Sequence, residues 1–265
     1  MKKLMVQYTI FTYLFFWLFI ALIGFVMLVL ELDTLSRILM NVSAWSPTII
    51  FALMFRKIYP SDNLLSFIKR RFSSSIKPYD ILAPLLIHAA IVFITIFAFS
   101  LTRSVPFLPL LVTSPAALAF IFLNCATSGA TGEELGWRGF LQPEIQKKRG
   151  PVQTSLIIGL IWSFWHTPLW FATSGLSGVD LLIFIVFFVV LNLSCSLFIT
   201  YFFNKSGNLF SAIWIHFLIN VSTGVMMDET EPFSFIVFTA LYVVITVILF
   251  IHRHMCEKKN NMMRS

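Results

Sequence analysis

The sequence predicts an all-α fold, a polytopic membrane helix bundle of about eight transmembrane helices. Hydrophobic residues make up 58% of the 265-residue chain, only 12% are charged, and the mean hydropathy is +0.87. Soluble domains carry about 25% charged residues. A water-soluble fold of this length could not bury 30 phenylalanines and still present a polar surface. The solvent is therefore lipid, and residues 1–265 are expected to form a single transmembrane domain.

The number of spans follows from the lengths of the apolar runs, because a helix crosses the bilayer core with about 20 apolar residues. The first run, Tyr8 to Leu30, is too long for a signal peptide and lacks a small-x-small cleavage site, so we interpret it as the first helix. The fourth is expected to continue past residue 127 toward Phe140. The eight predicted spans are 8–30, 43–57, 79–101, 107–127, 152–172, 180–203, 207–225 and 233–252.

The basic residues test this count. Seventeen of the 19 Lys and Arg residues lie on one side of the predicted topology, and only Arg37 and Arg103 lie on the other. The acidic loop with Asp228, Glu229 and Glu231 opposes the basic side. The positive-inside rule therefore predicts an even number of spans with both termini cytoplasmic. The basic side comprises Lys2, Lys3, Arg56, Lys57, Lys69, Arg70, Arg71, Lys77, Arg138, Lys147, Lys148, Arg149, Lys205, Arg253, Lys258, Lys259 and Arg264.

The segment Asp62–Phe72 is predicted to form a helix in the cytoplasmic membrane interface. Its apolar residues repeat at helical spacing, and three consecutive basic residues follow. We expect a surface anchor, with a substrate gate as the functional alternative. The apolar positions are Leu64, Leu65, Ile68 and Phe72, and the basic ones are Lys69, Arg70 and Arg71.

Two adjacent carboxylates follow the fourth predicted span. On a helix, Glu134 and Arg138 share a face at four-residue spacing, in the favourable order for an ion pair. Glu133 points about 100° away, toward Trp137. We expect desolvation against that apolar indole to raise the pKa of Glu133 toward the range of a general base. The two acids are thus predicted to have different roles.

Two histidines lie at membrane depth in later spans, where ionisable groups tend to mark function. His216 and Asn220 share a helical face and could donate hydrogen bonds to an oxyanion, or could equally join helices. His166 precedes Pro168, which breaks the helix and leaves the carbonyl of Phe164 without its helical donor. Helix rise places His166 about 20 Å into its span, so its distance from the carboxylates stays open.

These three motifs together resemble the CPBP family of intramembrane proteases. The patterns are Glu-Glu-x-x-x-Arg at 133–138, aromatic-x-x-x-His at 162–166 and His-x-x-x-Asn at 216–220. The family includes CAAX prenyl endopeptidases and bacterial bacteriocin-processing and Abi-like relatives, and its core would lie at about 117–220. The family usually has Phe where this chain has Trp162, and we expect the second aromatic to fill the same space.

The resemblance implies a hydrolytic site. Glu133 would be the base that activates water, with assistance from His166. His216 and Asn220 would polarise the scissile carbonyl. The supporting residues that would brace the helix are Glu134 and Arg138.

The sequence leaves the use of a metal open. Glu133, His166 and His216 could form a zinc set with an open position, and the family is commonly labelled as metalloproteases. The His-Glu-x-x-His zinc motif is absent, and Asn220 suits an oxyanion better than zinc. A zinc mechanism would also require Glu134 as base, in conflict with its predicted ion pair. We therefore favour a glutamate-activated water without a cofactor, with zinc as the alternative.

Two rival interpretations remain. The segment Gly175–Gly178 matches the Gly-x-Ser-Gly of rhomboid proteases, with Ser177 as nucleophile and His216 as its partner. A protein of another class, such as a non-catalytic immunity or chaperone protein or a transporter, could use the same polar cluster for binding. No repeat between halves supports transport.

The expected partners are the lipid bilayer and a peptide or membrane-associated protein substrate. The net charge of +7 is explained by membrane orientation, so nucleic acid is not expected. The Lys-, Asn- and Ile-rich composition and short loops are typical of a bacterial protein, which predicts a plasma-membrane location. The resemblance implies processing of small exported or bacteriocin-like peptides, and the sequence gives no indication of the oligomeric state.

Overall fold

A computed structural model describes the backbone of residues 1–226 and 232–262, and most of their side chains. The described part is helical, with one isolated β-bridge between Leu111 and Met226 and no strand, which confirms the predicted fold class. The helices are α1 (Lys2–Leu28), α2 (Asp33–Ala44), α3 (Ser46–Ile58), α4 (Leu64–Arg71), α5 (Pro78–Arg103), α6 (Pro115–Thr127), α7 (Gly129–Glu134), α8 (Gln142–Gln146), α9 (Pro151–Trp165), α10 (Thr167–Ala172), α11 (Gly178–Ser206), α12 (Leu209–Gly224) and α13 (Pro232–Met262).

The predicted count of eight spans is not confirmed. Each predicted range contains a helix, but only α1, α5, α11 and α13 among the described helices are long and apolar enough to cross a membrane alone. The pair α2–α3, bent by 50°, could make a fifth span or a re-entrant loop. The remaining apolar helices are short because the chain breaks within the predicted spans, as α6 begins only at Pro115 and α9 ends at Trp165.

The break after α9 has the predicted cause, with a compensation that the sequence pattern did not reveal. His166 ends α9 and precedes α10, and Pro168 lies in the first turn of α10. The hydroxyl of Thr167 donates a hydrogen bond of 2.6 Å to the carbonyl oxygen of Phe164. The carbonyl that Pro168 leaves without a helical donor is therefore satisfied within the protein, as an irregular backbone in lipid requires.

Helix α11 forms the centre of the second half of the bundle and packs against α9, α12 and α13. Helices α1 and α3 pack on the other side of the segment Leu135–Leu141, which is π-helical. The close approach of α3 depends on Gly136, since a Cβ there would lie 2.6 Å from the carbonyl oxygen of Pro47. The hydroxyl of Tyr8 donates a hydrogen bond of 3.1 Å to that same oxygen. The carboxylate-bearing segment is thereby fixed between the two halves.

The predicted interfacial helix is present as α4. The side chain of Asn63 accepts a hydrogen bond of 3.1 Å from the backbone N–H of Ser66 and caps its N-terminus. The buried residue of α4 is Phe67, which packs against aromatic rings of α3, whereas Leu65, one of the predicted apolar contacts, is exposed. Arg70 pairs with Asp62, so only part of the basic run is available to lipid headgroups.

One basic residue was assigned wrongly to the cytoplasmic loops. Arg138 is fully buried and paired with a carboxylate, so it contributes no loop charge to the orientation. Several other residues of the orientation argument lie outside the described side chains, so the orientation stays a prediction. These are Asp228, Glu229, Glu231, Arg253, Lys258, Lys259 and Arg264.

Candidate active site

The two adjacent carboxylates lie where α7 runs into a π-helical segment. Helix α7 ends at Glu134, and residues Leu135–Leu141 continue with the wider π spacing, an irregularity frequent at functional sites. Glu133 is 3% exposed and Glu134 is fully buried. Each has a separate set of partners, as their different helical faces predicted.

Glu134 belongs to a buried three-residue network. Its Oε1 atom accepts a hydrogen bond of 2.8 Å from Nη1 of Arg138, which confirms the predicted ion pair. The same Oε1 atom lies 2.7 Å from Nδ1 of His216 on α12. The sequence did not reveal this second contact, because the two residues are 82 positions apart. Glu134 thus orients His216 as well as bracing its own helix.

Glu133 has indole partners instead of a cation. Its Oε2 atom accepts hydrogen bonds from Nε1 of Trp137 at 3.1 Å and from Nε1 of Trp162 at 2.6 Å. The expectation that Trp137 offers only an apolar surface was therefore wrong, because the polar N–H of the indole faces the carboxylate. Trp162 stands where the family usually has Phe, and a phenyl ring could not donate this bond.

The other carboxylate oxygen of Glu133, Oε1, and polar atoms of α12 face the same space beside Gly129. A Cβ at Gly129 would lie 2.9 Å from Oε1 of Glu133, 3.1 Å from Nδ2 of Asn220 and 3.4 Å from Nε2 of His216. Three polar groups from two distant segments therefore face one small volume. Any side chain larger than hydrogen at position 129 would occupy it.

His166 approaches the same region from the end of α9. Its Nδ1 atom lies 2.8 Å from the carbonyl oxygen of Trp162, and because a carbonyl can only accept, Nδ1 carries the proton. Nε2 of the neutral ring is therefore an acceptor. Helix α1 holds this end of α9: Trp17 donates a hydrogen bond of 3.0 Å to the carbonyl of Trp165, and Tyr13 donates to that of Ile161.

Two cavities meet at the predicted catalytic residues. One of about 500 Å³ lies among α1, α2, α6, α7 and α9. The other, of about 320 Å³, lies among α9 to α13. Both are lined by Glu133, His166 and Asn220, and the second also by His216. The depth of His166 is thus reconciled with that of Glu133, because the irregular turns at Ser128 and His166 bring both to one place.

Comparison with known proteins finds a family similarity for this region. Residues 113–222 match the family model of the type II CAAX prenyl endopeptidase Rce1-like proteins. Over these residues the chain is similar to the Rce1-like CAAX prenyl endopeptidases. A curated protein named CAAX prenyl protease 2, from Methanococcus maripaludis, is 41% identical over 46 residues. That match covers 17% of this chain and 17% of the relative's own length.

All residues of the two carboxylate networks lie inside the region matched by the Rce1-like family model. It extends from the start of α6 to the end of α12 and so contains both walls of the site. Helices α1 to α5 and α13 lie outside it, although α1 and α2 line the larger cavity. The matched region therefore supplies the polar groups, and the flanking helices close the space around them.

The predicted zinc ligands are not grouped as a metal site among the described residues. Within residues 1–226 and 232–262, no three His, Cys, Asp or Glu side chains group in a way that could hold a metal ion. Oε2 of Glu133 is held by two indoles, and Nδ1 of His166 and of His216 is bound elsewhere, which leaves Oε1 and the two Nε2 atoms available, so the zinc alternative stays a prediction.

The structure does not support the rhomboid-like alternative, in which His216 would be the partner of Ser177. Ser177 precedes α11 and lines neither cavity, whereas His216 lines the second cavity with Nδ1 on Glu134. Gly175 and Gly178 have positive φ values of 66° and 56°. The Gly-x-Ser-Gly pattern is therefore explained by the turn that leads into α11.

Proposed function

We propose that the chain is an intramembrane endopeptidase that hydrolyses a peptide bond of a peptide or membrane-associated protein. The observation that carries the proposal is the convergence of Glu133, Asn220 and His216 above Gly129, where the two cavities meet inside the region matched by the Rce1-like family model. A base, amide and imidazole groups and room for a chain on both sides are the elements that hydrolysis of a carbonyl requires.

Glu133 is the general base in this proposal. Its Oε2 atom is held by two indole N–H groups, so the carboxylate is fixed with Oε1 turned toward the cavity. Oε1 takes a proton from water as the water oxygen attacks the scissile carbonyl carbon, and the proton then passes to the leaving amine. Nε2 of neutral His166 accepts the second O–H of the water and orients it.

His216 and Asn220 stabilise the oxyanion. Nδ2 of Asn220 is an N–H donor in any protonation state. Since Nδ1 of His216 donates to Glu134, Nε2 can donate only when the ring is an imidazolium. In this proposal the form of His216 with a proton on both ring nitrogens supplies the second donor to the oxyanion. Glu134 thus acts on the reaction by orienting His216.

The substrate and cellular setting follow the resemblance. We place the protein in a bacterial plasma membrane with both termini cytoplasmic, and infer small exported or bacteriocin-like peptides as substrates. The distribution of basic residues supports the orientation. A second candidate function, binding without catalysis by an immunity, chaperone or transport protein, would use the same buried cluster.

The test is cleavage of a peptide library by the full-length chain in lipid nanodiscs, with products identified by mass spectrometry. Glu133→Gln keeps the shape of the side chain and removes the base, so products should fall by about 10² to 10⁴. Glu144→Gln is the matched control, because Glu144 is also a buried carboxylate but binds Tyr59 and Lys147 away from both cavities.

Three outcomes decide between the candidates. Products that depend on Glu133 and not on Glu144 support the endopeptidase. No product from folded wild-type protein, or equal product from Glu133→Gln, favours the non-catalytic candidate. Elemental analysis of the same sample tests the metal: about one zinc per chain, with loss of cleavage after chelation, would replace the metal-free mechanism by a zinc-dependent one.

A further inference from the structure

The larger cavity contains a cation that the proposed reaction does not use. Arg37 on α2 lines this cavity together with Glu133 and His166. It is exposed, and it makes no ion pair or hydrogen bond with a residue that the structure describes. It is also one of the two basic residues that the charge pattern places opposite the cytoplasmic side. A guanidinium that lines a cavity together with the catalytic groups is a candidate binding group for an anionic part of a ligand.

The surroundings of Arg37 suit an anion. Asn41, one helical turn further along α2, donates a hydrogen bond of 3.3 Å to the side chain of Asn124 on α6, and both amides line the cavity. The remaining walls include Phe16 and Phe120. A carboxylate that enters this space would meet a guanidinium and amide donors within partly apolar walls, where charge-assisted hydrogen bonds are strongest.

In contrast to the larger cavity, which Arg37 lines, the smaller cavity is lined mainly by aromatic and other uncharged side chains. Phe184, Phe188 and Phe235 line it, and Phe184 stacks on Phe235 with 5.1 Å between ring centroids. Apart from the catalytic groups themselves, its lining residues carry no charge. A chain that crosses the site therefore has one side among aromatic rings and the other near Arg37.

We propose that Arg37 is a specificity-determining residue that binds a carboxylate of the substrate in the larger cavity, while an apolar side chain across the scissile bond occupies the smaller one. This inference rests on the proposed endopeptidase function and extends it to a substrate class: peptides with an acidic group on one side of the cleaved bond and a large apolar residue on the other. Because Arg37 lines the same cavity as Glu133, the proposed occupant is a carboxylate of the substrate, and a lipid phosphate is the alternative that the test excludes.

The experiment uses a peptide whose cleavage depends on Glu133, made in matched versions. Each Asp or Glu is replaced by Asn or Gln, and the C-terminus is a free acid or an amide, so the arms separate a side-chain carboxylate from a terminal one. Wild-type protein should cleave the version with the recognised carboxylate about ten-fold faster, as kcat/KM, than its amide counterpart. In Arg37→Gln this ratio should fall to about one, mainly through KM.

Two further variants keep the test independent of folding. Arg37→Glu should invert the preference toward a peptide with Lys at the recognised position. Arg103→Gln should keep the wild-type ratio, because Arg103 ends α5 and lines neither cavity. A ratio near one already in wild-type protein, or an unchanged ratio in Arg37→Gln, would overturn the inference. An equal loss on every peptide version in Arg37→Gln would also overturn it, because the loss would then not depend on the substrate carboxylate. Absence of any cleavage by wild-type protein would instead count against the endopeptidase.

Discussion

Replacing Trp162 by Phe tests the coupling between the indoles and the catalytic carboxylate. The substitution keeps an aromatic ring beside Arg138, whose guanidinium carbon lies 4.9 Å from the centre of the Trp162 ring. It removes one specific contact, the 2.6 Å hydrogen bond from Nε1 to Oε2 of Glu133. It also restores the residue that the family usually has at this position.

The magnitude follows from the charge on the acceptor. A hydrogen bond to an ionised group contributes about 1.5–3 kcal/mol, and about 1.4 kcal/mol corresponds to one pH unit. Trp137 still donates to the same oxygen at 3.1 Å, and water in the cavity can replace part of the lost bond. Loss of the bond thus disfavours the ionised form of Glu133 by about 1.4 kcal/mol, which corresponds to a shift of roughly one pH unit in the activity profile. Since catalysis needs that form, the acid limb of the activity profile should move to higher pH.

The assay is the pH dependence of kcat/KM for a peptide whose cleavage depends on Glu133, since this quantity reports the groups of the free enzyme. Trp162→Phe should lose activity below the wild-type acid limb and recover at higher pH, where a more basic carboxylate accepts the proton at least as well. Trp214→Phe is the control, because its indole donates to the carbonyl of Ile81 at 3.1 Å, away from the carboxylates. An acid limb at the wild-type pH in active Trp162→Phe would refute the assignment of Glu133 as the base held by this bond.

Two other substitutions separate stability from catalysis. Glu134→Gln removes the carboxylate that pairs with fully buried Arg138 and holds His216. It should therefore lower the free energy of unfolding by about 3–5 kcal/mol, measured by denaturant titration in detergent. A loss no larger than that of Glu144→Gln, whose partner Lys147 is solvent-exposed, would contradict the buried network. Gly129→Ala should reduce kcat at least ten-fold with little change in thermal unfolding, because the new methyl group would lie 2.9 Å from Oε1 of Glu133. Gly150→Ala, where a Cβ meets nothing within 4 Å, should leave kcat and thermal unfolding unchanged.

The sequence predicted the helical class and the Glu134–Arg138 pair because both depend on short-range periodicity. An apolar run in lipid forms a helix in any arrangement, since the backbone has no other way to satisfy its hydrogen bonds. Residues four apart meet on any helix. The number of spans was less predictable, because the break after Trp165 and the late start of α6 divide apolar stretches that composition alone reads as continuous.

The contacts that define the candidate site come from tertiary structure. Composition could not reveal that Nδ1 of His216 meets Glu134, that Trp162 donates to Glu133, or that α2 brings Arg37 to the same cavity. These contacts join residues far apart in the chain, and their geometry depends on how α9 and α12 pack around α11. The sequence by itself determined a membrane helix bundle and the polar residues that it must bury. Only the tertiary structure decided which atoms those residues share, because hydrogen-bond partners at long range are set by packing and not by periodicity.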